Sequence, residues 1–356
     1  MEAPSPRQSF ITALCALSVS LAPGLAAQAH ATSPTKYLSA PATHATFEDA
    51  IDSYEKGDSL LALTYGRQAA QAGDTQAQVL VGHILLRGET GLIDAPEARK
   101  WFSSAADNGN LDAMVALGEM SLRSQAGLVP ANAKDYLERA AKGGRQDAMR
   151  VLADMYDRGD GVAQDPQKAQ DWRQKAVSKG DYLAARAMGD SLIDSDPVSA
   201  LKWYEKAAAQ GDAESAYIAA IMYAETFEIR PDEQKSAVLM RQAATANIAP
   251  AMADYGLLIY QGAGVERDIN AAAKWFEKAA IAGDSEGQFL YAFTLAKGEG
   301  VTQNFEDAYF WLLRSGSSEV DAYNADREAL KERLENNVDP TLLNRAKIRF
   351  ERIKAQ

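Results

Sequence analysis

The stretch "AAAKWFEKAAIAGD" at residues 271–284 is closely matched by "ALKWYEKAAAQGD" at residues 200–212. Such a recurrence indicates either a catalytic motif used twice or one structural unit stacked many times. Positions equivalent to Trp275 decide between them, because they recur at steps of 36, 35, 36, 31, 36, 36 and 36 residues. They are Tyr65, Trp101, Tyr136, Trp172, Trp203, Leu239, Trp275 and Trp311. All five tryptophans of the protein occupy this position, and a near-constant pitch of this length predicts a repeat array.

Small residues recur in phase with the tryptophan series. Eight residues after it stands a glycine, or Asn247 in one unit, which predicts a helix end in the left-handed conformation. The fourth and ninth residues after that glycine are always small, which predicts a further helix packed at short distance. These pairs are Ala77 and Gly82, Ala113 and Gly118, Ala148 and Ala153, Ala184 and Gly189, Ser215 and Ala220, Ala251 and Gly256, and Gly287 and Ala292. Each unit is therefore predicted to be helix, turn, helix, with the aromatic residue on the second helix and in the core.

The spacing of these residues resembles the Sel-one-like repeat (SLR) family, a subclass of tetratricopeptide-type helical solenoids. The best copies are "GDGVAQDPQKAQDWRQKAV" (159–177) and "GAGVERDINAAAKWFEKAA" (262–280), and the match runs over residues 46–316. The resemblance implies an all-α, right-handed α/α superhelix of about seven units of roughly 36 residues. Residues 317–356 are predicted to form two charged capping helices, as in many proteins of this family.

Two units depart from the pattern. The fourth linker, "SLIDSDPVSALKW", lacks the G-x-G-V turn and five residues, so its helices are expected to join more tightly. The fifth, "AETFEIRPDEQKSAVLM", keeps the pitch but loses both turn glycines and the tryptophan. An irregular unit of this kind is a reasonable place for a partner to bind.

The first 31 residues have the layout of a secretory signal peptide. Arg7 precedes an apolar run from Phe10 to Leu21, and small residues in A-x-A spacing predict cleavage after Ala29 or Ala31. An uncleaved anchor is the alternative, although the run is short for a span of about 20 residues. The single cysteine, Cys15, lies inside this segment and fits a lipoprotein signal poorly. Residues 32–45 are expected to be a flexible leader, and no later stretch is apolar enough to predict a membrane span.

The net charge of −12 argues against a nucleic-acid partner, since recognition of phosphates begins with a basic face. It argues equally against electrostatic binding to anionic membranes. Histidines are few: beyond His30 and His44 only His83 falls in the repeats, where a packing or surface role is favoured over catalysis. Without cysteine or a second histidine there, we expect no metal, no cofactor and no nucleophile system that depends on His or Cys.

Some cysteine-rich members of the family are described as penicillin-binding or weakly β-lactamase-like, which raises one enzymatic alternative. That chemistry normally combines S-x-x-K with S-D-N and K-T-G. The chain has "SYEK" (53–56) and "SALK" (199–202) but neither of the other motifs. "DMYDRGDGVAQD" likewise lacks the alternating oxygen ligands and closing glutamate of a calcium loop and is assigned to the repeat turn.

The sequence thus predicts a non-catalytic, exported scaffold that binds a protein or peptide on the concave face of the solenoid. The resemblance implies roles in envelope assembly, polysaccharide production or signalling in the bacterial periplasm. The alternatives are a secreted effector that binds a host protein and the β-lactamase-like enzyme. Catalytic, cofactor and metal residues are predicted to be absent, and the partner-binding residues cannot be named from one sequence.

Overall fold

The computed structural model describes residues 45–226, 228–316 and 323–354. Within these ranges every regular element is a helix and no β-strand occurs, which confirms the all-α prediction. The described residues divide into two compact units, an amino-terminal unit that ends at Ala184 and a carboxyl-terminal unit that begins at Ala185. The predicted signal peptide, residues 32–44 of the leader and residues 317–322 lie outside the described residues.

Helices follow one another with short connections in both units. The amino-terminal unit contains α1 (Phe47–Glu55), α2 (Ser59–Gln71), α3 (Thr75–Arg87), α4 (Ala95–Asp107), α5 (Leu111–Leu122), α6 (Pro130–Lys142), α7 (Gln146–Arg158) and α8 (Pro166–Ser178). Helix α9 (Tyr182–Asp190) contains the boundary between the units. The carboxyl-terminal unit continues with α10 (Pro197–Ala209), α11 (Ala213–Glu225), α12 (Glu233–Thr245), α13 (Ala249–Gln261), α14 (Ile269–Ile281), α15 (Ser285–Lys297), α16 (Phe305–Arg314), α17 (Asn324–Asn337) and α18 (Pro340–Lys354).

Seven repeats account for α3 to α16, each with a first helix and a second helix. The first helices are α3, α5, α7, α9, α11, α13 and α15, and the second helices are α4, α6, α8, α10, α12, α14 and α16. Helices α1 and α2 form a pair that precedes them, and α17 and α18 follow. Within each unit consecutive helices pack on one another, as α3 does on α4 and α13 on α14.

A left-handed residue separates neighbouring repeats, and an aspartate follows it at three of the six junctions. Gly211 has φ +98°, and the carboxylate of Asp212 accepts a hydrogen bond from the backbone N–H of Ser215 at 3.1 Å, which caps α11. Glycine tolerates positive φ, and aspartate satisfies N–H groups that have no partner inside the helix. Asn247 has φ +67° at the equivalent position, so the predicted exchange of glycine for asparagine is confirmed.

The second helix packs on the first through the residue that follows the tryptophan position. Phe276 is 1% exposed, and its ring lies against Gly256 so closely that a Cβ there would be 2.7 Å from it. Phe102 lies against Gly82 in the same way, as do Leu137 against Gly118 and Tyr204 against Gly189. The glycines at the ninth position of these first helices are therefore the holes that receive these side chains, whereas the fourth-position Gly287 lies against Ala279 of the preceding second helix.

The prediction that the tryptophans form the core is wrong. Trp101, Trp172, Trp203, Trp275 and Trp311 are all half-buried. One step along a helix turns a side chain by about 100°, which places the tryptophan at the edge of the interface and its successor at the centre. A cation covers four of the rings: the Nζ atoms of Lys175, Lys206 and Lys278 lie 4.0, 5.3 and 4.2 Å from the ring centroids, and Arg314 Cζ lies 5.0 Å from that of Trp311.

The second glycine of each G-x-G-V turn contacts the preceding repeat. Gly264 has φ +67°, and a Cβ there would lie 2.0 Å from the carbonyl oxygen of Glu233, the first residue of α12. Gly161 meets Pro130 at the start of α6 in the same way, and Gly300 meets Ile269 at the start of α14. The turn of one repeat thus lies directly on the beginning of the second helix of the preceding repeat.

The irregular repeats replace these glycines with apolar packing. After α9, Leu192 and Ile193 pack against a cluster that contains Tyr204 and Tyr223. Ile229, in the turn of the fifth repeat, is buried in the same cluster. The shortened fourth linker and the altered fifth turn therefore share one apolar contact within the carboxyl-terminal unit.

The capping helices close the last repeat through cations. Arg327 on α17 is buried, and it donates to the carbonyl oxygen of Ser285 at 3.2 Å and to the hydroxyl of Ser315 at 3.1 Å. Helix α18 packs on α16, where Arg345 pairs with Glu306 and Arg349 with Asp307, each at 2.6 Å. The described part of the predicted capping region thus lies on the seventh repeat.

Phe276→Ala should destabilise the protein by about 3–5 kcal/mol, because a fully buried ring leaves a cavity in the core. Trp275→Ala is the matched control and should cost less, because its ring is only half-buried. Urea denaturation followed by far-UV circular dichroism measures both. Equal losses, or a larger loss for Trp275→Ala, would show that the interface is centred on the tryptophan.

Gly264→Ala should destabilise the protein more than Gly283→Ala. Both glycines have positive φ, which costs a side chain about 1–2 kcal/mol. A Cβ at Gly283 meets nothing within 4 Å, whereas one at Gly264 meets the Glu233 carbonyl. The midpoints of thermal unfolding compare the two variants, and indistinguishable midpoints would contradict the assigned contact between repeats.

Candidate functional site

The two S-x-x-K segments lie in ordinary helical surroundings. The Ser53 hydroxyl donates to the carbonyl oxygen of Asp49 at 2.9 Å, and the Lys56 ammonium pairs with Asp52. The backbone N–H of Ser199 donates to the capping Asp196, and Lys202 is exposed on α10. The serine and lysine of each segment thus contact groups other than one another. Within the described residues no group of three or more His, Cys, Asp or Glu side chains is placed to hold a metal ion.

His83 lies on α3 beside the interface with α4. Its ring packs edge-on against Phe102 with 5.1 Å between ring centroids. Burial lowers the pKa of His83 below its ordinary value, and Arg87 lowers it further against the opposing effect of Glu89. The structure therefore gives this histidine a packing role.

An open cleft of about 650 Å³ lies in the sixth repeat. Tyr255, Ile259 and Ile269 line it on the helices, and residues 265–268 form its rim. The charged rim is engaged structurally: Arg267 Nε donates to the carbonyl oxygen of Tyr260 at 3.0 Å, and Asp268 caps α14. The charged side chains of Arg267 and Asp268 at the rim of this cleft are therefore used in a backbone hydrogen bond and in capping and do not form a set of catalytic groups.

The first helices of the seven repeats have one face in common, on which equivalent positions recur. Counted from the glycine before each first helix, residues 3, 7, 10 and 14 share this face, since they are spaced three or four apart on a helix. Position 10 is His83, Glu119, Asp154, Asp190, Ile221, Leu257 and Phe293 in the seven repeats. This set is called the first-helix face below.

Ion pairs join neighbouring repeats along the first helices of the amino-terminal unit. Arg145 bridges Asp112 of the second repeat and Asp147 of the third. Arg150 on α7 pairs at 3.4 Å with Asp181, which caps the following first helix. Pairs of this kind add little stability at an exposed surface, and each joins charged groups of neighbouring repeats.

In the third repeat an arginine occupies the interface position that Phe276 fills in the sixth. The guanidinium of Arg173 on α8 pairs with Asp157 and, at 3.4 Å, with Asp154, both on α7. Its side chain is only 14% exposed. An ion pair therefore replaces apolar packing at this interface, which is possible because both carboxylates lie on the facing helix.

In the carboxyl-terminal unit, hydrogen bonds from tyrosine hydroxyls to carboxylates join neighbouring repeats. The Tyr217 hydroxyl on α11 donates to Asp254 on α13 at 3.0 Å, and the Tyr260 hydroxyl on α13 donates to Glu299 after α15 at 2.6 Å. Burial raises the pKa of Tyr217, with Asp254 adding to the effect. Hydrogen bonding to Glu299 raises the pKa of Tyr260. Both hydroxyls therefore remain donors at neutral pH, and the links persist.

The carboxyl-terminal unit also places an apolar row on the first-helix face. Ile221 on α11, Leu257 on α13 and Phe293 on α15 are half-buried at equivalent positions. The corresponding residue of α9 is the carboxylate Asp190, which accepts a hydrogen bond from Tyr204 at 2.8 Å. Removal from water raises the pKa of Asp190, against the opposing effects of Tyr204 and Arg186. The face thus changes from polar to apolar after the fourth repeat.

Sequence reasoning missed this row although its signal was present. It counted the fourth and ninth residues after each glycine, since small residues mark packing there. The tenth varies from histidine to carboxylate to aliphatic, so a search for constant residue types passes over it.

Helix pairs of constant pitch, joined by glycine turns and packed through small residues, define an α/α repeat solenoid. The Sel1 repeat model matches the chain seven times, at residues 75–110, 111–144, 146–181, 182–212, 213–248, 249–284 and 285–318. The chain belongs to the Sel1-repeat family. Proteins of this family are protein-interaction scaffolds.

Solved structures with the same repeat resemble the chain. A Sel1 repeat protein from Oxalobacter formigenes has 24% identity and a TM-score of 0.58, with 81% of this chain and 86% of that chain covered. The c5321 protective antigen of uropathogenic Escherichia coli, described as displaying an SLR fold, has 24% identity and a TM-score of 0.44 over 85% of this chain and 74% of its own. The first likeness supports the fold. A comparison with curated proteins gives no match. Among the described helices, none has the length and apolarity needed to cross a bilayer.

His83→Gln should remove part of the pH dependence of stability. Because the folded protein holds the pKa of His83 below about 6.5, the unfolded chain binds the proton first as pH falls. Stability associated with His83 is complete above pH 6.5 or so and is lost progressively below it. Urea midpoints of wild type and variant, measured between about pH 7.5 and 5, should diverge in slope. Parallel curves would contradict the buried, neutral state of this ring.

Proposed function

We propose that this chain is an exported, non-catalytic adaptor that holds a protein or peptide partner on its first-helix face. The observation that carries the proposal is the first-helix face itself, whose tenth-position side chains reach the surface and along which side-chain links join neighbouring repeats. Arg150 with Asp181 in one unit and Tyr217 with Asp254 in the other are such links. A surface fixed before binding loses less conformational entropy when a partner docks.

The concave surface that stacked helix pairs generally present is the expected location of this face. The signal-peptide layout of residues 1–31 supports export, and the periplasm is the proposed compartment. An adaptor in envelope assembly, polysaccharide production or signalling fits these features. A secreted effector that binds a host protein is the alternative that the same features support.

Photo-crosslinking in cells tests the proposal. A photoreactive amino acid replaces Leu257 on the first-helix face or, as the matched control, the exposed Lys274 on the second helix α14. Both positions lie in the sixth repeat, so expression and export should be the same. After irradiation, periplasm, envelope and medium are separated, and adducts of the carboxyl-terminally tagged protein are identified by mass spectrometry.

We expect Leu257 to crosslink to a defined protein in the periplasm or envelope and Lys274 to remain without that adduct. Adducts only from Lys274 would place the binding surface elsewhere. Protein in the medium without a bacterial partner would replace the periplasmic adaptor by the secreted effector. Retention in the cytoplasm at full length would contradict export.

A further inference from the structure

A buried tyrosine lines the open cleft of about 650 Å³ in the sixth repeat. Tyr255 is 8% exposed, and its ring packs edge-on against Trp275 with 5.4 Å between ring centroids. Its hydroxyl forms no hydrogen bond with any residue that the structure describes. Because a buried tyrosine hydroxyl usually has a partner, this one is a candidate contact for a ligand.

Other tyrosines of the carboxyl-terminal unit show what the Tyr255 hydroxyl lacks. Six of them donate to carboxylates, namely Tyr204, Tyr217, Tyr223, Tyr260, Tyr291 and Tyr309. Tyr291 is the equivalent of Tyr255 in the seventh repeat, and it donates to Glu277 on the preceding second helix at 3.0 Å. The residue that corresponds to Glu277 on α12 is Arg241, whose guanidinium has no acceptor atom. The Tyr255 hydroxyl is therefore available as a donor to a ligand in the cleft.

The start of α14 supplies two further donors. Ile269 and Asn270 line the cleft, and within the described part of the chain their backbone N–H groups have no acceptor. Asp268 accepts instead from the backbone N–H of Ala271 at 2.9 Å. Helices α6, α8 and α10 begin with proline, which has no N–H group at this point. Free N–H groups at a helix start favour an acceptor, and here they lie beside the same cleft as the tyrosine.

The remaining residues of the cleft limit the kind of acceptor. Ile259 is buried and Val265 is half-buried, so the donors lie beside an apolar surface. At the rim, Glu266 and Asp268 outnumber Arg267, which leaves an excess of one negative charge. This charge disfavours a ligand carboxylate, whereas the carbonyl oxygen of a peptide group is neutral.

We propose that this cleft binds an extended internal segment of a partner polypeptide that carries one apolar side chain. Backbone carbonyl oxygens of the segment accept hydrogen bonds from the Tyr255 hydroxyl and from the N–H groups at the start of α14. The apolar side chain packs on Ile259, Val265 and Ile269. An extended segment fits these donors because its carbonyl oxygens have no partner within the segment. The inference goes beyond the proposed function, since no residue of the cleft belongs to the first-helix face.

NMR titration with capped tripeptides tests the ligand chemistry. The probe is acetyl-alanyl-leucyl-alanine amide. One control ends in a free carboxylate, and the other has serine in place of leucine. The indole N–H signal of Trp275, identified by its loss in Trp275→Phe, reports binding because this ring lies against Tyr255.

We expect the amide probe to shift the Trp275 signal to saturation and to bind about fivefold more tightly than either control, the effect of one lost interaction. Equal or tighter binding of the carboxylate peptide would overturn the carbonyl as acceptor. Equal binding of the serine peptide would overturn the apolar contact, and no saturable shift with any peptide would overturn the site.

Tyr255→Phe locates the binding, with Tyr291→Phe as its matched control. Tyr255→Phe should weaken probe binding about fivefold and leave the urea midpoint unchanged, because no bond within the protein is lost. Tyr291→Phe loses the bond to Glu277 and should keep wild-type probe affinity. Wild-type affinity in Tyr255→Phe would show that solvent alone satisfies the hydroxyl, and the proposed site would then be wrong.

The cleft and the first-helix face are tested separately. Crosslinking from Leu257 in cells does not depend on Tyr255, so failure of the peptide titration leaves the adaptor proposal standing. Absence of a Leu257 adduct, with the probe bound through Tyr255, would contradict the adaptor on the first-helix face while the cleft assignment stands.

Discussion

The contact of Phe276 with Gly256 sets the geometry on which the rest of the fold depends. A Cβ at Gly256 would lie 2.7 Å from the ring, so the second helix could not approach the first to this distance with any other residue. The same contact recurs with Tyr204 and Gly189. The same pairing of a first with a second helix recurs along the chain, so equivalent positions of the first helices recur in the same order. Side chains on the outer face, which take no part in this contact, can then vary without loss of the fold.

The sequence was sufficient to predict the fold because phase, rather than residue identity, identifies a repeat. Gly211 and Asn247 differ in type but share the left-handed conformation that ends a helix. Phase alone could not decide which of two adjacent recurring positions faces the interface. The position of Trp275 holds a tryptophan or tyrosine in all units but one, whereas the position of Phe276 varies through leucine, arginine, tyrosine and methionine. The centre of the interface accepts several side chains as long as the facing hole adjusts, so constancy of type pointed to the wrong position.

Arg173 shows how far this adjustment extends. Its guanidinium occupies an interface position and is compensated by Asp154 and Asp157. An ion pair with one mostly buried partner is weak support for stability, but the same cation left unpaired is destabilising. The three side chains therefore specify that α8 packs on its own α7. The sequence did not predict this arrangement. Two aspartates on a helix usually indicate a solvent-exposed face, and only the structure shows that Arg173 lies opposite them.

The change of the first-helix face from polar to apolar coincides with the irregular repeats, and the position of the irregularity explains why the face survives it. The five residues missing from the fourth repeat are absent after Asp190, between the end of α9 and the start of α10. Gly189 still receives Tyr204, so the contact that sets helix separation is unaffected. Leu192 and Ile229 fill the turn region in place of glycines. Variation is thus confined to the turns, which contact the second helices, and the first helices keep their register. Asp190, Ile221, Leu257 and Phe293 can therefore change in chemistry along the chain while they remain equivalent in position, which is the condition for a repeat scaffold to acquire a specific binding face.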